Sequence, residues 1–176
     1  SRYMLTGTFR ADGSSKFAQG NKWGYFPSAA FGWNMHNESF MKNLPVITES
    51  KLRFSYGITG NNRVGDFSYY PSLSVPIINS YSFNNGTPLQ GVVPDDLGNS
   101  ALKWESTEQM DLGYDLGLFK NRLNLTVDVY RKTTKDLLLN ADLPTTTGYA
   151  TAYKNIGIIK NEGLEISLNT TNIQSK

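Results

Sequence analysis

The clearest pattern in the chain runs from Met110 to Lys132, where apolar and polar side chains alternate on both sides of a short polar turn. A helix brings its apolar residues round at every third or fourth position, whereas a strand does so at every second. The alternation therefore predicts two antiparallel strands joined at residues 119–122. Their apolar positions are Met110, Leu112, Tyr114, Leu116 and Leu118 before the turn, and Leu123, Leu125, Val127 and Val129 after it.

Alternation of the same kind predicts four further strands, which gives an all-β chain of six antiparallel, up-and-down strands. Residues 35–50 break the pattern, and we expect a connector there with one helical turn at 38–42, capped by Asn37 and ended by Pro45. The six predicted strands lie near residues 2–12, 25–34, 51–59, 105–118, 123–132 and 155–171.

The connectors between these strands differ in length in a regular way. Those at 13–24, 60–104 and 133–154 are long and mostly polar, whereas the turn inside the hairpin at 119–122 is short. Up-and-down strands place alternate connectors at opposite ends of a sheet. Long loops at one rim and short turns at the other are typical of an outer-membrane barrel, and the 35–50 connector is a mild exception.

The alternation alone leaves open what covers the apolar face. Strands of about nine to eleven residues are long enough to cross an outer membrane at a tilt, and aromatic residues near their ends suit its two interfaces. These aromatic residues are Tyr3, Tyr25, Trp33, Tyr56 and Phe119. The alternative is a soluble all-β binding or adhesion module, in which the same face packs on a second sheet.

Several segments, in order along essentially the whole chain, together resemble the barrel of SusC/RagA-type TonB-dependent outer-membrane transporters of Bacteroidetes. They are Arg2–Phe17 (RYMLTGTFRADGSSKF), Trp23–Trp33 (WGYFPSAAFGW), Lys51–Asn62 (KLRFSYGITGNN), Leu102–Gln109 (LKWESTEQ), the hairpin described above, and Asn161–Leu168 (NEGLEISL).

The resemblance implies a barrel of 22 strands in the bacterial outer membrane, of which residues 1–176 supply about six. It also implies TonB-dependent import of a large nutrient, either an oligosaccharide or a peptide. The implied partners are a SusD-like surface lipoprotein, TonB, the remainder of the barrel, and membrane lipid or lipopolysaccharide. No segment resembles the plug domain or the TonB box, and the chain opens at Ser1 without a signal pattern. We therefore expect a piece of a longer polypeptide.

Composition changes this picture little. A formal charge of +2 on scattered basic residues gives no reason to expect a nucleic-acid partner. The sequence has no cysteine, which excludes disulfides and cysteine-ligated metals. No run reaches the roughly 18 apolar residues of a transmembrane helix.

Catalytic and metal-binding patterns are weak. His36 is the single histidine and lacks the spacing of a triad or a metal site. Asp95, Asp96 and Asn99 carry oxygen ligands but not the spacing of an EF-hand. We therefore expect neither an enzyme nor a bound cofactor or metal.

Ligand contact is expected in the long loops, where flat aromatic side chains can stack on sugars or on peptide side chains. The candidates are Tyr69, Tyr70, Tyr81, Phe83 and Trp104.

Overall fold

A computed structural model describes residues 1–172 and is built around one antiparallel sheet of six strands. The order of the strands in the sheet follows the order in the chain, so each strand pairs with its neighbours in sequence among the six. The six strands are β1 (Tyr3–Gly13), β2 (Trp23–Asn34), β3 (Ile47–Asn61), β8 (Glu105–Leu118), β9 (Leu123–Lys135) and β12 (Ile158–Thr170).

The remaining strands are short and lie in the long connectors. They form three ladders, in which β4 pairs with β7, β5 with β6, and β10 with β11. Their bounds are β4 (Leu73–Ser74), β5 (Ser80–Tyr81), β6 (Leu89–Gln90), β7 (Val93–Pro94), β10 (Leu138–Asp142) and β11 (Thr151–Asn155). In the described part of the chain, four segments of 3₁₀ helix occupy Met35–Asn37, Ser39–Asn43, Ile77–Asn79 and Thr145–Thr147.

The register of the sheet places the alternating residues of all six strands on two common faces. One row across the sheet joins Tyr3, Trp33, Leu52, Tyr114, Val127 and Ile166. The neighbouring row joins Asn34, Lys51, Asp115, Thr126 and Ser167. Because side chains alternate along a strand, the first row belongs to an apolar face and the second to a polar face.

The apolar face is not covered by a second layer within the described residues. Leu5, Ile166 and Leu168 are 81%, 64% and 60% exposed. The buried hydrophobic residues of the described part are few and lie mostly in the connectors: Phe17, Phe26, Met41, Val64, Leu102 and Ala152. A packed sandwich would bury this face, so the geometry does not favour the soluble alternative.

The two rims of the sheet differ as the connector lengths predict. The loops 14–22, 62–104 and 136–157 all lie at one end, which we call the long-loop rim. At the opposite short-loop rim, Phe119, Lys120 and Asn121 all have positive φ angles, of 53°, 58° and 60°. This turn is fixed to the start of β3, because Phe119 N–H donates to the Val46 carbonyl at 2.9 Å and Asn121 N–H to Thr48 Oγ1 at 3.1 Å.

Three local expectations differ from the structure. The 38–42 segment forms 3₁₀ turns, and Asn37 caps no helix, because its side-chain amide donates to the Ser1 carbonyl instead. β3 begins at Ile47 rather than near residue 51, since pairing with β8 extends it through a register shift between Ile47 and Glu49. The connector at 133–154 holds the β10–β11 ladder and the end of β9.

Among residues 1–172, no helix has both the length and the apolar character needed to span a membrane.

Candidate functional site

The polar face carries an ion-paired network centred on Arg53 of β3. The Arg53 guanidinium donates to both carboxylate oxygens of Asp115 in β8, at 2.7 and 3.1 Å, and to Asp128 of β9 at 2.9 Å. Thr126 donates to the same Asp115 carboxylate at 3.1 Å. A planar guanidinium can make these bonds at once, so one side chain ties three adjacent strands together.

Gly113 makes room for this network. A Cβ atom there would lie 2.3 Å from Asp128 Oδ1 and 2.7 Å from Arg53 Cζ. The guanidinium therefore crosses β8 directly over its backbone at a position without a side chain. Alternation along β3, β8 and β9 places these three side chains on one face, and the register of the strands brings them together.

A buried apolar cluster lies at the base of the long-loop rim. Phe17 and Leu102 are fully buried and Val64 is 5% exposed, although Phe17 lies in the first long connector and the other two lie at opposite ends of the second. Trp104, Leu138 and Tyr153 pack against them. Three loops therefore share one small core at the end of the sheet, and we call it the loop core.

Polar contacts fasten the same loops around the loop core. Asn155 accepts a hydrogen bond from Lys103 N–H at 2.9 Å through its Oδ1 atom, and its amide donates back to the Lys103 carbonyl at 2.8 Å. Asn99 donates to the Tyr153 carbonyl at 2.9 Å. Lys16 reaches the Val64 carbonyl at 2.8 Å. These bonds join backbone to side chain across loops distant in sequence, so the loops form one connected cap.

Trp104, one of the five ligand candidates, lies inside this cap. Its ring packs against Phe17 and Phe26, with centroids 5.5 Å away in both cases. Its indole N–H donates to the Lys22 carbonyl at 3.0 Å. Trp104 is half-buried, and these contacts give its ring a packing role in addition to the ligand contact expected of it.

The other four candidates lie farther out on the connector between β3 and β8. Residues 73–94 fold back as a β-hairpin, which we call the arm, and its end turn has Asn84 and Asn85 at φ 52° and 55°. The Gly86 N–H donates to the Phe83 carbonyl at 2.9 Å, which closes a turn with positive φ at both central residues inside the loop between Tyr81 and Leu89. Tyr81 and Phe83 meet edge to face at 4.6 Å and are 64% and 67% exposed.

Tyr69 and Tyr70 form a second aromatic pair just before the arm, with ring centroids 4.3 Å apart. Burial, with the neighbouring Tyr70 as a smaller cause, raises the pKa of the Tyr69 phenol above its ordinary value. The Tyr69 phenol is therefore neutral at physiological pH. The structure thus presents two pairs of uncharged aromatic rings, on a segment without any charged residue between Phe67 and Pro94.

At the short-loop rim, Glu38 joins the connector to the aromatic end of the apolar face. Its Oε1 accepts hydrogen bonds from the Trp33 indole at 3.2 Å and the Tyr3 hydroxyl at 3.0 Å. These two bonds, in that order of size, lower the pKa of the Glu38 carboxyl, and Arg2 adds to the effect from 3.6 Å. The carboxylate therefore stays ionised at neutral pH.

The remaining candidates for chemistry lie apart from one another. His36 is exposed in the first 3₁₀ turn. Asp96 bonds Ser72 through its backbone N–H, and its carboxylate has Ser72 Oγ at 3.5 Å, which ties the end of the arm to its beginning. Within residues 1–172, no three His, Cys, Asp or Glu side chains come together in a way that would hold a metal ion.

The known proteins that this chain resembles agree with the geometry described above. Residues 1–174 match the family model described as TonB dependent receptor-like, beta-barrel. The chain is 46% identical over 168 residues to TonB-dependent receptor P39 of Formosa agariphila, which covers 96% of this chain and 16% of that protein. It is 38% identical to TonB-dependent receptor SusC of Bacteroides thetaiotaomicron, over 99% of this chain and 18% of that protein.

Among solved structures, the RagAB peptide importer in its closed-closed state superposes with a TM-score of 0.86 at 31% identity, covering 99% of this chain and 18% of that one. The siderophore receptor PirA of Pseudomonas aeruginosa superposes with a TM-score of 0.57 at 19% identity, a similarity of fold alone. This chain thus spans less than a fifth of the length of each curated relative named above.

Proposed function

Because this chain belongs to the TonB-dependent receptor family of outer-membrane β-barrel proteins, we propose that it forms part of the wall and extracellular loops of a nutrient importer. The imported nutrient is a large one, either an oligosaccharide or a peptide. The rest of the wall, which the family suggests is completed to 22 strands, comes from outside these residues.

The observation that carries the proposal is the division of one six-stranded sheet into a continuous apolar face and a continuous polar face. Backbone groups cannot remain unpaired in lipid, so strands cross a membrane only within a closed barrel. In such a barrel the apolar face contacts lipid and the polar face lines the lumen. The network of Arg53, Asp115 and Asp128 is then luminal, where water or a plug domain can solvate it.

The long-loop rim is extracellular in this proposal and the short-loop rim is periplasmic, since outer-membrane barrels place long loops outside. The cap around the loop core then holds the arm over the outer mouth of the barrel. A SusD-like surface lipoprotein on that side and TonB on the periplasmic side are the partners we propose. Import needs binding and gated passage but no covalent chemistry from these residues.

The nature of the nutrient is supported by the arm and by the relatives. RagAB is described as a peptide importer. The arm and the residues before it offer uncharged aromatic rings, which stack on sugars and on apolar peptide side chains alike. Tyr69, Tyr70, Tyr81 and Phe83 are the contacts we propose, and Trp104 remains a candidate at the base of the loops.

Cysteine labelling in the intact protein tests the assignment of the two faces. The chain has no native cysteine, so single cysteines report without background from these residues. We expect Val127→Cys to react with a maleimide confined to the lipid phase and Asp128→Cys to react with a water-soluble maleimide. The reverse pattern in folded protein would show that the faces are exchanged, and equal aqueous reaction at both would support a soluble module.

Ligand binding through the arm is tested by truncating its aromatic pair. In a strain that carries only the variant importer, we expect Tyr81→Ala with Phe83→Ala to reduce uptake of the nutrient about tenfold, because contact residues of this type often contribute more than 1 kcal/mol each. Growth on a peptide digest and growth on a starch hydrolysate, with and without TonB, would give both the nutrient class and the energy dependence.

Ile78→Ala is the matched control for this experiment. Ile78 is 89% exposed on the same arm but carries no aromatic ring. Uptake by this variant should match the wild type. If the aromatic double variant also imported normally, the proposed contact at Tyr81 and Phe83 would be wrong.

A further inference from the structure

Five charged side chains lie close together on the apolar face near the long-loop rim, where the pattern of the sheet calls for apolar residues. They share the face of Leu112, Val129 and Leu164, because each is an even number of residues from one of these positions on its own strand. The group consists of Glu108, Arg131, Lys135, Lys160 and Glu162, and we call it the outer charged cluster.

The acids of this cluster are engaged by its cations and by a tyrosine. Glu108 accepts a hydrogen bond from the Tyr56 hydroxyl at 2.7 Å and from Lys135 at 3.2 Å. Arg131 forms an ion pair with Glu162 on the adjacent strand. Lys160 is exposed and has no ion pair within residues 1–172. With three cations and two acids, the cluster has a net charge of +1.

The cluster surrounds a concave site. A cavity of about 280 Å³ is lined by Tyr56, Glu108, Met110, Arg131, Thr133, Lys135 and Lys160. Its lining combines three cations with the Thr133 hydroxyl and the apolar side chain of Met110, while the Glu108 carboxylate engages the Tyr56 hydroxyl and Lys135. Such a set of donors suits an anion that carries several oxygen acceptors.

The position of the outer charged cluster along the membrane normal follows from strand geometry. Met110 lies eight residues beyond Leu118 at the short-loop rim, which is roughly 27 Å along the strand at about 3.4 Å per residue. A strand tilt of about 40° reduces this to roughly 20 Å along the membrane normal, compared with an apolar band about 25 Å tall. Arg131 pairs with Met110, and Lys135 and Lys160 lie farther toward the long-loop rim.

The cluster therefore lies at the upper edge of the apolar band and faces outward. Charged side chains facing lipid are costly at the midplane, but the cost falls nearly to zero at the interfaces. At that level the neighbouring molecules are the head groups of the outer leaflet, which in an outer membrane is made of phosphorylated glycolipid. An excess of cations at this level complements their negative charge.

We propose that the outer charged cluster is a binding site for the phosphate groups of an outer-leaflet glycolipid, held by Arg131, Lys135 and Lys160. The inference rests on the proposed orientation, with the long-loop rim outside the cell. Lys160 is the most available of the three cations, because no acid within residues 1–172 forms an ion pair with it. The acyl chains of the same lipid then lie on Leu164, Ile166 and Leu168 below.

The test uses the intact protein purified from its outer membrane, with native mass spectrometry to measure binding of phosphorylated lipid A. A chelator in the buffer removes divalent cations, which would otherwise bridge carboxylates and phosphates. The variant combines Arg131→Gln, Lys135→Gln and Lys160→Gln. Each cation near an anionic lipid surface contributes about a fivefold factor in affinity, and two of the three are partly neutralised, so we expect a loss of about tenfold or more.

Lys132→Gln is the matched control. Lys132 is adjacent to Arg131 on β9 but lies on the polar face, so its removal should leave lipid binding unchanged. Arg131→Lys keeps the charge and should also bind normally. Retained heat-modifiable mobility on a denaturing gel would show that each variant is folded.

Enzymatically dephosphorylated lipid A should bind the wild type as weakly as phosphorylated lipid binds the triple variant. Equal binding of both lipids to the wild type, or an unaffected triple variant, would overturn the proposal. Inorganic phosphate at the same concentration as the lipid should not displace it, because only the lipid also contacts Leu164, Ile166 and Leu168; displacement at that concentration would assign the site to free phosphate, which also overturns the proposal. Nutrient uptake and the labelling at positions 127 and 128 are independent readouts, so failure of this site and failure of the proposed function give different results.

Discussion

Replacing Val127 with arginine is expected to lower the free energy of unfolding of the intact barrel by about 2–4 kcal/mol, the cost of arginine facing lipid near the bilayer midplane. Val127 lies between Tyr114 and Ile166 in the same row of the apolar face. It is four residues from Leu123 at the short-loop rim, which is roughly 10 Å along the membrane normal at a tilt of about 40°. Urea titration of the protein folded into lipid vesicles measures the change.

Ser167→Arg is the control for this substitution. Ser167 lies on the adjacent strand, one row away, on the polar face, and is exposed. The same side chain there enters water in the lumen, so the free energy of unfolding should change by less than about 0.5 kcal/mol, as for most surface substitutions. A larger cost for Ser167→Arg than for Val127→Arg would mean that the polar face contacts lipid.

The strands of the wall were predictable because their pattern arises from the environment on their two faces. The hairpin of β8 and β9 has one apolar and one polar face. Apolar and polar residues therefore alternate at positions 110–129, and this alternation can be read from the sequence. The start of β3 at Ile47 was not predictable in this way. Residues 47–50 have no alternation, and β3 extends there only because β8 supplies a partner for its backbone.

Contacts on the polar face could be predicted only in part. Alternation places Arg53, Asp115 and Asp128 on one face, but their meeting depends on the register of three strands and on the absence of a side chain at Gly113. The alternation gives no reason for a glycine at this position, whereas the structure shows that the Arg53 side chain passes over it.

The loop core was missed because its residues are isolated in polar connectors. Phe17 stands between Lys16 and Ala18 in a segment without periodicity, and Leu102 belongs to another loop. The available signal was a large apolar residue inside each polar connector. Such a residue is costly to expose to water, so it is expected to be buried, but the sequence does not show which residue it packs against. Asn99 and Asn155 gave no signal for their contacts between loops, since a half-buried asparagine looks like any polar loop residue in the sequence.

Replacing Phe17 with alanine is expected to have the largest effect on the cap at the long-loop rim. Phe17 is fully buried among Val64, Leu102 and Trp104, and removal of a buried phenylalanine side chain typically costs about 3–5 kcal/mol. The loop core is small and lies outside the wall, so the loss should open the cap locally and leave the barrel folded. We expect amide hydrogen exchange in residues 13–22 and 99–104 to become more than about tenfold faster.

Phe67→Ala separates this effect from the loss of any aromatic side chain in the loops. Phe67 belongs to the same connector as Val64 and Leu102 but is 67% exposed, so its truncation creates no cavity and should leave exchange in the cap unchanged. Exchange in β8 and β9 serves as the internal reference, because their backbone bonds do not depend on the loop core. If Phe17→Ala destabilised β8 and β9 as much as the loops, the cap and the wall would be one cooperative unit, and the loop core would act as part of the barrel rather than as a separate support for the arm.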